Sequence, residues 1–397
     1  MIVTVIAMGI AAEAGWAVGA TDDGIGAVDK ELLTDSRGNP WIPVSSLAGS
    51  LRDHLFADDA DESLMGSRSG AEELLPSRLW LLGAQIRAAG KDEPPATQVL
   101  ASTAIDPRRK GALPRSLRHK RVVNEPTDIE LYAMCEGLLS EEHWDLLAGW
   151  QPSVGGDRST GGGRARLERL AYRIYDLDRD DDLREWLTRG GPDRYTDLIQ
   201  VEVHPVAEHP VLDVRFRIVD GLHIGTGSRQ EKTAITLRRD GTPLIPGKTW
   251  KGLFRARAGY ILRTLRGEQS ACTDQQGCGS CPLCDLFGST RSRGRVVFVD
   301  SAIDKATSAP RTHVAIDRVT GGARDQLLFT QEVIGQGETN LRILQLAPIE
   351  DWQRNLLRHV IKDLDDGLIG VGAGSQRGQG TLRLISPLPP LEPVVVP

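Results

Sequence analysis

Apolar and polar residues alternate along Val211-Leu-Asp-Val-Arg-Phe-Arg-Ile-Val219, the period of a half-buried strand. Ile2-Val-Thr-Val-Ile-Ala-Met8 is β-branched and bounded by glycine, and also predicts a strand. Each is followed by a glycine-rich loop, a proline turn and a helical pattern. After Pro40 and Pro43, Leu47, Leu51 and Leu55 fall on one helical face, with Ser45 or Ser46 as cap. After Pro243 and Pro246 the stretch Gly247-Lys-Thr-Trp-Lys-Gly-Leu-Phe-Arg255 repeats that design.

The recurrence is close. Pro40, Ile42, Pro43, Gly49 and Arg52 match Pro243, Ile245, Pro246, Gly252 and Arg255 at one constant interval. Leu64-Met-Gly-Ser67 answers Leu286-Phe-Gly-Ser289, and Ala104-Ile-Asp106 answers Ala315-Ile-Asp317. Gly155 to Arg166 and Gly370 to Gly380 are glycine/arginine loops followed by strand-like runs. A repeat this long is domain duplication rather than a solenoid. The join is expected in Asp176 to Asp193, acidic and ending in Gly190-Gly-Pro192, which predicts domains over 1–178 and 196–397 with an exposed linker over 179–195. Helices between short strands make the expected class α+β.

Composition changes this picture in three ways. Glycine, 43 of 397 residues, exceeds the usual share of about 7%, and points to positive-φ turns and close backbone approaches. The net charge of −6 excludes nucleic-acid binding by uniform basicity but leaves room for a local basic groove. No apolar run reaches the ~18 residues of a membrane helix, and Met1 to Ala12 lacks a basic leader, so the expectation is a soluble cytoplasmic protein without membrane contact.

Cys272-x5-Cys278-x2-Cys281-x2-Cys284 sits in a loop with Gly277 and Gly279. Four thiolates there can close a tetrahedron around zinc, and a closed site is structural rather than catalytic. The matching stretch of the first half, Asp58 to Leu64, has no cysteine, and Cys135 reads as an ordinary apolar residue. Arg108-Arg-Lys-Gly-Ala-Leu-Pro-Arg-Ser-Leu-Arg-His-Lys-Arg121 carries no acid and interrupts an acidic chain. Arg108, Arg109, Arg118 and Arg121 suit phosphate contacts; the plain alternative is a solvated loop. Arg311, His313, Arg318 and Arg324 form a sparser counterpart. In the glycine loops Arg164, Arg166 and Arg377 flank amides that can approach phosphates, though such loops also make bulges. Ser45, Ser46 and Arg52, with Lys248, Lys251 and Arg255, lie at helix starts where anions bind. Gly247-Lys-Thr249 mimics a P-loop, but Thr242 stands where the motif needs glycine, and Pro243 and Pro246 remove amide donors, so nucleotide hydrolysis is rejected.

The order of strand, glycine loop, Ile42-Pro-Val-Ser-Ser-Leu-Ala-Gly-Ser-Leu-Arg52 or Ile245-Pro-Gly-Lys-Thr-Trp-Lys-Gly-Leu-Phe-Arg255, Arg311-Thr-His-Val-Ala-Ile-Asp-Arg318 and a terminal glycine loop resembles the RAMP (repeat-associated mysterious protein) superfamily, specifically the backbone subunit of type III CRISPR effector complexes. The resemblance covers nearly the whole chain. It implies two tandem RRM-like (ferredoxin-like) RAMP domains with insertions, a zinc loop in the second, and hairpins acting as thumbs in a guide–target duplex. It implies guide CRISPR RNA, single-stranded target RNA and other CRISPR effector subunits as partners. Backbone subunits that cut target RNA carry an aspartate in the loop after the first strand, in a pattern that Asp29 and Asp35 fit. A carboxylate at Asp29 would hold a divalent cation, Mg or Mn, or orient a ribose 2′-OH for in-line attack; the alternative is a turn aspartate. The second half offers Ala234 or Lys232 opposite Asp29, and so is expected to bind RNA without cutting it. A non-catalytic scaffold of the same complex is the second reading. A guide-processing endoribonuclease ranks below both, His54 being the one histidine near the first strand–helix region.

Overall fold

A computed structural model describes residues 1–19, 28–56, 62–67, 74–108, 111–204, 208, 210–274 and 276–395. The first half runs β1 (Ile2–Ala12), α1 (Val44–Leu55), α2 (Glu62–Met65), β2 (Leu79–Ala88), β3 (Thr97–Ser102), β4 (Arg118–Val123), β5 (Thr127–Glu136), α3 (Glu141–Ala148) and β6 (Ala165–Asp176). Its sheet has the antiparallel order β2-β5-β1-β6. With α1 after β1 and α3 after β5, this is the β-α-β-β-α-β order of ferredoxin-like units. β1 is central and almost wholly buried, which is why its sequence is a continuous β-branched run rather than an alternating one.

The segment expected to be an exposed linker is largely exposed, with no buried residue over 179–195, but it carries regular structure. It forms α4 (Asp180–Thr188), and β7 (Ile199–Val201) joins the first sheet beside β6. Aromatic residues drive this: Tyr195 packs on Tyr132 with centroids 4.6 Å apart and Tyr175 meets Trp186 at 5.3 Å. The Tyr195 hydroxyl donates to the Ala133 carbonyl, and burial pushes its pKa to about 12. The first sheet therefore runs past the boundary expected at 195.

Next come β8 (Pro210–Ile218), β9 (Gly225–Gln230), β10 (Thr233–Thr236), β11 (Arg238–Arg239), β12 (Thr242–Ile245), α5 (Gly247–Arg266), α6 (Pro282–Phe287), β13 (Val296–Phe298), β14 (Ser301–Ile316), β15 (Ala323–Gln345), α7 (Asp351–Asp365) and β16 (Leu382–Leu384). β15 pairs with β13 and β8, and β8 with β16, all antiparallel, so the strand order of the first half recurs. The distal part of β15 pairs with β14 in a long hairpin. In the first half the equivalent β3–β4 hairpin is a separate two-stranded sheet, because Asn124-Glu125-Pro126 interrupts the ladder where β15 runs through Gly335 and Gly337.

There are two apolar cores. Ile6, Met8, Leu47, Leu51 and Leu131 belong to one; Phe216, Trp250, Phe254, Leu341 and Leu357 to the other. Each such side chain contributes roughly 1.5–3 kcal/mol by leaving water. Leu100 of β3 packs against both. At this seam backbones approach closely. A Cβ on Gly227 would stand 2.3 Å from Ala101 Cβ, and one on Gly247 2.5 Å from the Thr160 carbonyl oxygen, so neither position accepts a side chain without movement.

Candidate functional site

The four-cysteine loop folds back onto the end of α5. Cys281 is the N-cap of α6, Pro282 opens that helix, and Cys284 lies buried within it. All four sulfurs fall within 4.8 Å of one another. Cys272–Cys284 is 3.5 Å, Cys272–Cys281 3.6 Å and Cys278–Cys284 3.9 Å. Four bonds of about 2.3 Å to a tetrahedral zinc require sulfur–sulfur edges of ~3.8 Å. The residues therefore fit a metal ion, and the geometry is that of a structural site. Backbone amides of Ser280 and Cys281 pull the Cys278 thiol down to about 6, while burial pushes Cys281 up to about 12. A cation among them would supply the charge that keeps all four as thiolates. Cys135 is an ordinary buried residue of β5.

Two residues expected at phosphates have other occupations. Arg52 on α1 donates to the carbonyls of Gly66, at 3.2 Å, and Ser67. Arg255 on α5 donates to the Gly288 carbonyl at 2.7 Å and lies 3.2 Å from Cys284 Sγ. The same helix position thus braces the same glycine turn in both halves. Gly66 and Gly288 hold φ of 74° and 82°, the left-handed conformation that turn demands.

The glycine loops are also built twice. Val154 N–H donates to Gly163 O and Val371 N–H to Gly380 O, at 2.8 and 2.9 Å. A short 3-10 turn, Arg158–Thr160 or Ser375–Arg377, crosses each loop. The first loop faces α5 across the seam. Lys251 Nζ donates to Ser159 Oγ at 2.6 Å, and Lys120 pairs with Asp157 at 2.7 Å. Burial lowers Lys248 and Lys251, the latter to about 8 with Arg255 adding to the fall, while Asp157 opposes it in both. Lys248 is exposed, so the cations stand at the surface of the seam rather than in a sealed core. The first amide of α5, on Gly247, is taken by the Asp300 carboxylate at 2.7 Å.

Asp29 lies at the edge of this region. The segment Asp29–Glu31 runs beside β4: Lys30 N–H donates to His119 O, and Arg121 N–H to Lys30 O. Asp29 Oδ2 accepts from the His119 amide at 2.5 Å and stands 3.7 Å from His119 Nδ1. Both side chains are partly exposed, at 52% and 38%. Asp35, its companion in the pattern, is a turn residue whose carboxylate accepts from the amides of Arg37 and Asn39, which lowers its pKa, the Asn39 amide most. Lys30 bridges Lys120 in parallel, as Ala234 bridges Gln331. That register puts Thr233 opposite Asp29, correcting the expected Ala234 or Lys232; the position remains uncharged. His54 is bound to the Leu146 carbonyl at 2.9 Å, within hydrogen-bonded structure.

The remaining basic candidates divide. Arg108 pairs with Glu268 across the seam, Arg121 with Glu31, Arg164 with Glu13 and Glu208, and Arg166 with Glu168. Arg118 stands exposed at the start of β4 and Arg318 at the tip of the β14–β15 hairpin, where Val319 and Leu328 are also exposed. Arg377 lies over the Phe329 ring, which stacks on His313. Ser45 and Ser46 are in the first turn of α1, Ser45 exposed. Arg109 lies outside the described residues. The sequence reading missed Lys30, His119, Lys120, Asp157 and Ser159, which come together only through strand pairing and the seam.

The family model for the RAMP superfamily matches residues 215–383, which supports RAMP membership. No curated protein matches the chain. That superfamily is associated with CRISPR RNA-binding subunits, and no helix among the described residues is long and apolar enough to cross a membrane.

Proposed function

We propose that this chain is a guide- and target-RNA-binding backbone subunit of a type III CRISPR ribonucleoprotein, built of two RAMP domains in tandem, the second stabilised by zinc on Cys272, Cys278, Cys281 and Cys284. The observation that carries the reading is the superfamily match over residues 215–383, and the recurrence of its strand order in the first half supports extending it. Lys248 and Lys251 at the seam and the exposed hairpin arginines, Arg118 and Arg318, are suited to a ribose–phosphate backbone. Base pairing with the guide would supply sequence specificity, as in other RNA-guided effectors. The protein acts in the cytoplasm beside other subunits of the complex.

Cleavage of the target is assigned to the first half, at Asp29, with Mg or Mn supplying charge stabilisation at the phosphate. Asp29 is accessible, and its second-half counterpart Thr233 cannot act as a carboxylate. The test is Asp29→Ala in the assembled complex on a labelled target. Cutting should fall by about 100-fold or more while target binding is unchanged, with product ends mapping to the segment held by the first half. The non-catalytic scaffold is the second reading, favoured by one observation: the Asp29 carboxylate already accepts a backbone amide, as a turn aspartate would. Cutting that persists in Asp29→Ala means that the carboxylate assignment is wrong and another subunit or loop residue does the work.

A further inference from the structure

Asp29 and His119 form a side-by-side pair whose members differ together between the halves. In β10 and β15, Thr233 stands opposite Thr330 in parallel register. The Lys30–Lys120 bridge puts Asp29 opposite His119 in the same way. In the second half Thr233 and Thr330 are a regular ladder pair, whereas in the first the Asp29 carboxylate itself accepts the His119 amide. The carboxylate and the imidazole of the first half stand where the second has two threonines, and both are exposed enough to meet a ligand. His119 presents Nδ1 to Asp29 at 3.7 Å, which leaves Nε2 as its other proton-carrying atom. The charged groups around it are Asp29 and Lys30 on the paired segment, Arg118 and Lys120 on either side along β4, and Asp157 of the glycine loop, which holds Lys120; its partner on β3 is the uncharged Ala101.

We infer that His119 is a catalytic acid that protonates the 5′-oxygen leaving group while Asp29 accepts the 2′-hydroxyl proton. This rests on the assignment of cleavage to Asp29. In the step, the 2′-oxygen forms a bond to phosphorus as its proton passes to the Asp29 carboxylate. The bond from phosphorus to the 5′-oxygen breaks, and imidazolium Nε2 of His119 gives that oxygen a proton. The products are a 2′,3′-cyclic phosphate and a 5′-hydroxyl. Solvent returns the pair to its starting protonation, so no oxidant or co-reactant is consumed.

The experiment is single-turnover cleavage by the assembled complex, using a target RNA whose scissile linkage carries either the ordinary 5′-oxygen or a bridging 5′-sulfur. A thiolate leaves without a proton. His119→Gln should slow the ordinary linkage by about 100-fold and cut the sulfur linkage within a few-fold of the unaltered protein. Equal slowing on both linkages, or no slowing on either, overturns the inference. Asp29→Ala separates the two levels: it should slow both linkages, and if it slows neither, the assignment of cleavage to this site fails whatever His119 does.

Discussion

The two halves of the molecule place different side-chain pairs at the same points of the same frame. On β4 Arg121 pairs with Glu31, whereas on β15 the residue at that place is Glu332, paired with Arg238 by two contacts of 2.7 Å. Lys120 reaches Asp157 on the first glycine loop, and Gln331 reaches Gln379 on the second at 2.8 Å. Asp29 and His119 face each other where Thr233 and Thr330 do. The backbone ladder fixes the positions, and any pair that satisfies its own hydrogen bonds is tolerated there. Arg238, with the Thr236 amide and Ser308, holds Glu332 down to about 2 even against partial burial. Function in such a recurring frame is therefore read from side-chain pairs and not from the fold.

The sharpest way to break the comparison is the metal loop, which belongs to the second half alone. Cys281→Ser should remove one zinc per chain by elemental analysis and destabilise the second half by about 3 kcal/mol or more. Hydrogen exchange should rise in α5, α6 and β13 and stay unchanged in β1 and β5. Equal loss in both halves would mean the cores do not behave as two. The arginine braces test the opposite point, that the frame is shared. Arg52→Ala and Arg255→Ala should each cost about 1–3 kcal/mol of stability in denaturant melts, and a variant that loses RNA affinity with no change in stability refutes the brace.

The smallest effect concerns the lysines at the seam. Lys251 sits near a pKa of about 8, below its ordinary 10.5, so the folded chain holds fewer protons than the unfolded one between those values and gains stability as pH rises through them. A phosphate at Lys251 would reverse that fall, so RNA binding should take up a proton and weaken by up to about 10-fold from pH 7 to pH 9. Lys251→Arg, always charged, should flatten the slope in filter-binding titrations; an unchanged slope removes Lys251 from the interface.

Much of the frame was legible because it is local. Proline turns, leucine spacing and the cysteine cluster lie within short windows, and the recurrence of the first two strengthened their signal. The roles of Arg52 and Arg255 were not legible from residue type, since an arginine at a helix start suits a phosphate as well as a carbonyl. The clue was that the arginine and the Leu-x-Gly-Ser turn recur together. The acids of the linker announced its exposure but not its structure, in which Trp186 meets Tyr175 and Tyr195 packs on Tyr132. His119 was read only as part of a basic run, since its neighbour Asp29 is brought to it by strand pairing over a long separation.

Gly227 and Gly247 give the seam one last property. With no side chain at either point, Ala101 and the Thr160 carbonyl press directly on the other half. Two separate proteins would meet at a rate and occupancy set by their concentrations, whereas a chain joined and fitted this closely carries its own effective concentration. The spacing between the β3–β4 and β14–β15 hairpins is thereby a fixed gauge: dilution leaves it untouched, and a single methyl group at Gly227 would change its setting.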